Sequence, residues 1–181
     1  MYRAVFLLTL LFLLAGCSSL QVKSDYDPDF DFEPLASFAV VYPVTHGGST
    51  LTQSRIADAI TEQMLRKGYR SAEKSDADFI MLFHTDITSK KQIITDYRTV
   101  GFYPYYGYAY GTVTVPVQHD YYYDEGKIII DALNPDGNRI FWRAVSTDRL
   151  KTFDTPDERI AYIRNVVGAM LESFPGKSKE P

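Results

Sequence analysis

The sequence contains few of the residues on which thiol and metal chemistry depends: one cysteine and three histidines in 181 residues. A single cysteine excludes an internal disulfide, so in an exported protein this thiol needs another explanation. The histidines, His46, His84 and His119, do not stand at metal-ligand spacing. Because a zinc site needs three or four ligands, we expect no metal site and no cofactor.

The sequence also lacks an apolar run of the roughly 20 residues that a membrane-spanning helix needs. Its first apolar stretch, residues 4–16, follows a single positive charge at Arg3 and ends in small residues before Cys17. This order is typical of a secretory signal peptide. The stretch Leu14-Ala-Gly-Cys17 resembles the lipobox of bacterial lipoproteins. The resemblance implies cleavage between Gly16 and Cys17 and attachment of lipid to Cys17.

This resemblance predicts both the organisation and the location of the chain. Several acyl chains on Cys17 would be sufficient to hold the protein on a membrane. Because Ser18 rather than Asp follows the cysteine, the resemblance implies the outer membrane, facing the periplasm, rather than the inner membrane. The alternative is an ordinary secreted protein with a free thiol. The expected parts are a signal peptide (1–16), a lipidated cysteine with a short tether (17–24), a single domain (25–174) and a flexible tail (175–181).

The overall charge is mildly acidic, with a formal net charge of −4. Nucleic acids bind proteins through positive charge, so we expect no nucleic-acid partner, and an acidic chain is a poor candidate for charge-driven binding to anionic lipid. A hydrophobic content of 45% and a charged content of 23% are typical of a globular domain. Composition leaves the oligomeric state open.

Hydrophobic periodicity predicts an α+β fold with a mixed, largely antiparallel sheet and two helices packed on one face. Thr155, Pro156 and Glu158 have the order of a capping box at the start of the last helix, and Gly68 suits the end of the first. In the second hairpin strand, Phe141 and Trp142 are expected on opposite faces. The predicted elements are a strand (37–43), a helix (50–68), a strand (78–87, continuing to 97), a hairpin (127–133 with 139–145) and a helix (156–174).

The order of these features resembles the bacterial lipoproteins grouped as Domain of Unknown Function 4136. The likeness covers roughly residues 22–174 and implies the same α+β fold, but no activity. Four stretches carry it: Asp25-Tyr-Asp-Pro28 with Asp31-Phe32, Arg55-Ile56 through Lys67-Gly-Tyr69, Asp76-Ala-Asp78, and Tyr122-Tyr-Asp-Glu-Gly126 leading to Ile140-Phe-Trp-Arg143.

Catalytic patterns are scarce. His84 and Asp86 fall on one face of a strand and would suit a base with its orienting carboxylate, but no serine has a nucleophile-elbow context. The alternating Asp25, Asp27, Asp29 and Asp31 lack the glycine and glutamate of a calcium loop. We therefore expect a protein that is not an enzyme. The alternative is a hydrolase or transferase acting on envelope glycans or lipids through His84 and Asp86.

Tyrosine is concentrated in one segment: nine of the 14 tyrosines lie within residues 97–123. Within residues 101–111, the glycines and the proline interleaved with tyrosine suit no helix or regular strand, whereas the alternating valines at 113, 115 and 117, with Pro116, predict an edge strand. The segment is therefore predicted to be the tip of a long hairpin or a large loop. Tyrosine with glycine is typical of binding loops, so the segment is a candidate surface for an envelope protein, a glycan or the edge of the bilayer. The alternative is a self-packed loop in a purely structural, stress-protective lipoprotein. The candidate partner-binding residues are Tyr103, Tyr105, Tyr106, Tyr108 and Tyr110.

Overall fold

The fold is described by a computed structural model for residues 20–42, 50–102 and 111–177. Within these residues it has α+β architecture, with six strands and two helices. In chain order the elements are β1 (Gln21–Tyr26), β2 (Ser37–Val41), α1 (Thr50–Arg66), β3 (Arg70–Ser71), β4 (Phe79–Phe102), β5 (Gly111–Leu133), β6 (Ile140–Arg149) and α2 (Pro156–Leu171).

The six strands form one mixed sheet in the order β1-β6-β5-β4-β2-β3. Strand β2 is parallel to both β3 and β4, whereas the other neighbouring strands are antiparallel. Parallel neighbours need a crossover connection, and α1 supplies it between β2 and β3. The expectation of a largely antiparallel sheet is therefore wrong, because a strand–helix–strand unit is built into one edge.

Both helices contribute to a single apolar core on one face of the sheet. The sheet residues Met81, Ile130 and Ala144 are fully buried and belong to the same cluster as Ile60 of α1 and Val167 of α2. Ile130 and Ala144 lie opposite each other on β5 and β6, so their side chains share a face. In the described part of the chain, neither helix has the length and hydrophobicity needed to cross a membrane.

A β-bulge changes the expected pattern of the last hairpin. The register shifts between Ala132 and Leu133, opposite β6. Phe141 and Trp142 are consecutive, yet both are only 1% exposed. The expectation that they occupy opposite faces is wrong, because the bulge places both rings against the core. Phe141 stacks on Phe30, with ring centroids 3.9 Å apart.

Local signals at the ends of elements are confirmed. The Thr155 hydroxyl accepts a hydrogen bond from the Glu158 N–H at 3.2 Å, which caps α2. Gly68, just after α1, has a φ of 93°, the left-handed conformation that glycine adopts without strain. In the β5–β6 turn, Gly137 has a φ of 76° and its N–H donates to the Asn134 carbonyl at 2.9 Å. Thr155 therefore precedes the start of α2, and Gly68 follows the end of α1, where the sequence predicts these boundaries.

Two carboxylates hold neighbouring segments together. One Asp78 oxygen accepts hydrogen bonds from the Ala36 N–H at 2.9 Å and from the Ser37 N–H at 2.8 Å. Hydrogen bonds from Ala36 and Ser37 lower the pKa of Asp78 from its usual value, and the bond from the Ala36 N–H has the largest effect. On the sheet, the side chain of Asp131 is 3% exposed and forms a two-pronged ion pair with Arg143, at 2.6 and 2.8 Å.

Both ends of the described chain are more ordered than the sequence suggests. Strand β1 begins at Gln21, inside the expected tether 17–24, because its backbone pairs with β6. Near the other end, the Pro175 carbonyl accepts a hydrogen bond from the Tyr69 hydroxyl at 3.1 Å. The Lys177 N–H donates to a carbonyl just after α1. The first residues of the expected tail therefore form hydrogen bonds with the domain.

Candidate functional site

Strands β4 and β5 continue far beyond the rest of the sheet. β2 leaves β4 at Leu82, and β6 leaves β5 at Glu125. Beyond Glu125, fourteen residue pairs of β4 and β5 have no other neighbouring strand among the described residues. At roughly 3.3 Å per residue, this two-stranded projection is about 45 Å long. We refer to residues 89–102 and 111–124 as the ribbon.

The ribbon lies outside the hydrophobic core. No described residue between His84 and Ile129 is buried. Several large side chains are instead strongly exposed: Tyr97 by 74%, Tyr122 by 65% and Ile93 by 58%. Contiguous exposed apolar surface in a folded protein generally marks an interaction site. The ribbon is therefore the first candidate for a functional surface.

Besides their backbone pairing, the described strands of the ribbon are joined by contacts between exposed side chains, among them a hydrogen bond from the Ser89 hydroxyl to Asp124. Lys91 Nζ lies 2.8 Å from an Asp120 oxygen, and both side chains are about half exposed. The hydroxyls of Thr99 and Thr114 lie 3.2 Å apart. An exposed ion pair contributes roughly 0–1 kcal/mol, and an isolated two-stranded hairpin is marginally stable in water. A partner that covered the ribbon would therefore stabilise it.

Charge is unevenly distributed along the ribbon. Charged side chains occur from its base as far as Arg98 on β4 and Asp120 on β5. The twenty consecutive residues 99–118 contain no Asp, Glu, Lys or Arg, in a chain in which 23% of residues are charged. Val100 and Val113 of this part are 44% and 47% exposed. The distal part of the ribbon is thus both uncharged and partly apolar.

The candidate lipidation and partner-binding residues from the sequence lie outside the residues that the structure describes. The prediction that no regular strand suits the Tyr/Gly/Pro mixture of residues 101–111 is wrong for its described ends, because residues 101 and 102 belong to β4 and residue 111 belongs to β5. The edge strand predicted from the alternating valines at 113, 115 and 117 is part of β5. Outside the described residues lie Gly16, Cys17, Tyr103, Tyr105, Tyr106, Tyr108 and Tyr110.

The candidate catalytic pair is not assembled as a base with an orienting carboxylate. His84 and Asp86 are both exposed, and the structure shows no hydrogen bond between these two described side chains. Asp86 instead accepts a hydrogen bond from the Thr88 hydroxyl at 3.3 Å. His119 Nε2 lies 3.8 Å from an Asp96 oxygen on the exposed ribbon. Among the described residues, no group of three or more His, Cys, Asp or Glu side chains could hold a metal ion.

A cavity of about 400 Å³ lies at the base of the ribbon, beside the N-terminal ends of both helices. Its lining includes Leu20 and Phe153, together with polar groups near α2. The Tyr162 hydroxyl donates to an Asp148 oxygen at 2.6 Å, and Lys151 Nζ lies 3.0 Å from the same atom. Burial is the main cause that raises the pKa of Tyr162 above its usual value, and the hydrogen bond to Asp148 raises it further. The Tyr162 phenol therefore stays protonated and donates its hydrogen bond to Asp148. Leu20, which also lines the cavity, places the start of the described chain beside the base of the ribbon.

Comparison with known sequences gives one family. The family described as "Domain of unknown function (DUF4136)" matches residues 22–176. This match covers all described strands of the sheet except the first residue of β1, and both helices. No curated protein matches the sequence.

Comparison with solved structures gives distant similarities in fold. A PDZ domain protein from Parabacteroides distasonis ATCC 8503 has a TM-score of 0.51 and 15% identity, over 94% of this chain. This chain spans only 40% of the length of that protein. A PelC dodecamer from Paraburkholderia phytofirmans has a TM-score of 0.50 and 7% identity, over 88% of this chain and 99% of that one. At these identities the likeness concerns the fold alone.

A third similarity is weaker. A minor lipoprotein from Acinetobacter baumannii has a TM-score of 0.38 and 11% identity, over 77% of this chain and 88% of that one. This score is too low to support a conclusion about the present chain.

Proposed function

Because the chain belongs to the family described as Domain of unknown function (DUF4136), which carries no assigned activity, we propose a function from the residues themselves. The protein is a bacterial lipoprotein, anchored through lipid on Cys17, that binds another component of the cell envelope without catalysing a reaction. The ribbon is the binding surface.

The single observation that carries this proposal is the exposure of the ribbon. Its two strands are about 45 Å long beyond the sheet, and they leave Tyr97 and Tyr122 exposed by 74% and 65%. Both of its outer edges also present backbone groups that have no strand partner among the described residues. Such edges are liable to unwanted pairing, and proteins generally shorten, charge or cover them. A long, exposed ribbon is therefore best explained by a partner that covers it.

The anchor and its location rest on the sequence. Leu14-Ala-Gly-Cys17 has the form of a lipobox behind a short apolar run. Ser18 after the cysteine favours the outer membrane with the domain in the periplasm. The proposal of a non-enzymatic role is supported by the lack of a hydrogen bond between the described side chains of His84 and Asp86, because a catalytic histidine is generally oriented by such a partner.

Site-specific photo-crosslinking in cells tests the binding role. A photoreactive phenylalanine analogue is placed at Tyr97 or Tyr122 on the ribbon, and at Tyr26 as a matched control. Tyr26 is also an exposed tyrosine, 59% accessible, but it lies at the end of β1 that is remote from the ribbon. We expect a recurring adduct from both ribbon positions and none from position 26.

The adduct is identified by mass spectrometry. A protein or glycan adduct specific to the ribbon would identify the bound component, and a lipid adduct would identify the membrane. Adducts confined to this chain, or equal yields from all three positions, would contradict the proposal and favour a structural role.

A further inference from the structure

The register of β1 places the start of the domain at the same end of the sheet as the ribbon. Gln21, the first residue of β1, pairs with Thr147 of β6, which in turn pairs with Lys127 of β5. Lys127 lies opposite Asp86 of β4, only a few residues before the ribbon begins. Chain leaving β1 towards the N-terminus therefore enters the space beside the base of the ribbon.

The chain between the lipid and the sheet is short. Only three residues lie between Cys17 and Gln21, so the lipidated cysteine, four residue steps away, lies at most roughly 14 Å from the start of β1. In the opposite direction, β5 continues from Lys127 to Leu133, a distance of about 20 Å. The tether is therefore too short to bring the far end of the domain to the membrane, and it keeps the ribbon end there.

We propose that the ribbon lies against the lipid bilayer that holds Cys17, with residues 99–102 and 111–118 in the headgroup region. This inference rests on the proposed lipidation of Cys17. About 45 Å of ribbon extends from its base, whereas the tether reaches only roughly 14 Å in the same direction. If the domain stands with this end towards the membrane, the ribbon is longer than the tether, so its distal part meets the bilayer.

The chemistry of the ribbon selects the interface over the hydrocarbon interior. The open edges of a two-stranded ribbon leave backbone N–H and C=O groups without partners, and hydrocarbon does not tolerate this. The headgroup region supplies water and polar groups for these edges. It also suits tyrosine, whose ring is apolar and whose hydroxyl is polar. Tyr97 at 74% exposure and the uncharged residues 99–118 fit this environment.

This contact does not depend on attraction between charges. The chain has a formal net charge of −4, which opposes binding to anionic lipid. The ribbon contains both Lys91 and Asp120, and these two side chains neutralise each other at 2.8 Å. The anchor supplies the proximity, and the uncharged distal ribbon supplies a surface that anionic headgroups do not repel.

The test uses the full lipidated protein in vesicles of phosphatidylethanolamine and phosphatidylglycerol. The thiol of Cys17 is consumed by the lipid, so an introduced cysteine is the only free thiol. Val113→Cys, at an exposed position of the distal ribbon, and Asp136→Cys, in the exposed β5–β6 turn at the far end of the sheet, are labelled with an environment-sensitive fluorophore. Spin-labelled lipids, present at many lipids per protein, then quench the fluorophore.

We expect a shallow spin label to reduce the emission from position 113 about twofold, because an interfacial fluorophore lies beside lipid headgroups. Emission from position 136 should not change. Equal quenching at the two positions, or stronger quenching of position 113 by a deep spin label, would overturn the interfacial placement. Mass spectrometry of the N-terminal peptide separates this result from the premise. An acylated Cys17 with unquenched Val113→Cys contradicts only the ribbon placement, whereas an unacylated Cys17 overturns the anchoring and this inference together.

Discussion

Shortening the ribbon should leave the stability of the domain almost unchanged. The variant lacks residues 95–118 and joins Ile94 to His119 through Asn-Gly, a two-residue turn that suits paired strands. Ile94 and His119 already face each other across the hairpin, and none of the deleted residues that the structure describes is buried. Changes at exposed positions usually alter the free energy of unfolding by less than about 0.5 kcal/mol. At this chain length, that corresponds to a shift in Tm of roughly 2 °C or less.

Thermal unfolding of the detergent-solubilised protein, followed by circular dichroism, measures this shift. Ile130→Ala serves as a control, because Ile130 is fully buried in the part of β5 that belongs to the sheet. Loss of a buried isoleucine side chain should cost about 2–5 kcal/mol and lower Tm by several degrees. A decrease in Tm of more than about 5 °C for the shortened ribbon would refute the reasoning, since it would mean that the ribbon packs on the domain.

Two further predictions concern the carboxylates of the domain. Arg143→Ala leaves the buried carboxylate of Asp131 without its partner and should lower the free energy of unfolding by about 2–3 kcal/mol, which is below the usual cost for a fully buried pair because the arginine is half exposed. Urea denaturation measures this loss, with the exposed Arg98→Ala as the control. A loss below about 1 kcal/mol would contradict the prediction. The pKa of Asp78 is lowered in the folded protein, so its contribution is complete above the unfolded value of about 3.9 and is lost as the pH falls through the folded value. Asp78→Asn should therefore be less stable than the wild type at pH 7 and should approach the stability of the wild type in acid. The control Asp76→Asn should not be less stable than the wild type at pH 7. Parallel curves of stability against pH for the wild type and Asp78→Asn would contradict this.

The sequence was informative where a local signal determined a local structure. The Thr155 cap and the Gly68 helix end were both predicted, because each depends on the conformation or hydrogen bonding of a few neighbouring residues. The α+β class followed from helical and strand periodicity in the same way. These features do not depend on which strands become neighbours.

Features that depend on distant parts of the chain were not predictable. Strand β2 lies between β3 and β4 and is parallel to both, because the chain crosses over through α1. Hydrophobic periodicity does not indicate such a connection. The bulge that buries both Phe141 and Trp142 adds a residue to β6 and breaks the rule of alternating faces. The pairing of β1 with β6 is also remote in sequence, so Gln21 was assigned to the tether. The length of the ribbon was only partly predicted: the strand expected to continue to residue 97 extends to Phe102, and the strand indicated by the alternating valines extends from Gly111 to Leu133.

The register of β1 limits which partners the proposed binding surface can reach. With Cys17 acylated, the start of β1 lies within about 14 Å of the lipid attachment point, and Leu20 lines the cavity at the base of the ribbon. A soluble periplasmic partner approaching from the opposite side would meet the β5–β6 turn and the C-terminal ends of the helices instead. The ribbon is therefore suited to components at the membrane surface: lipid headgroups, the exposed parts of membrane proteins, or another lipoprotein on the same leaflet. Under the proposed anchoring, the membrane that holds Cys17 would also restrict access to the exposed aromatic side chains of the ribbon.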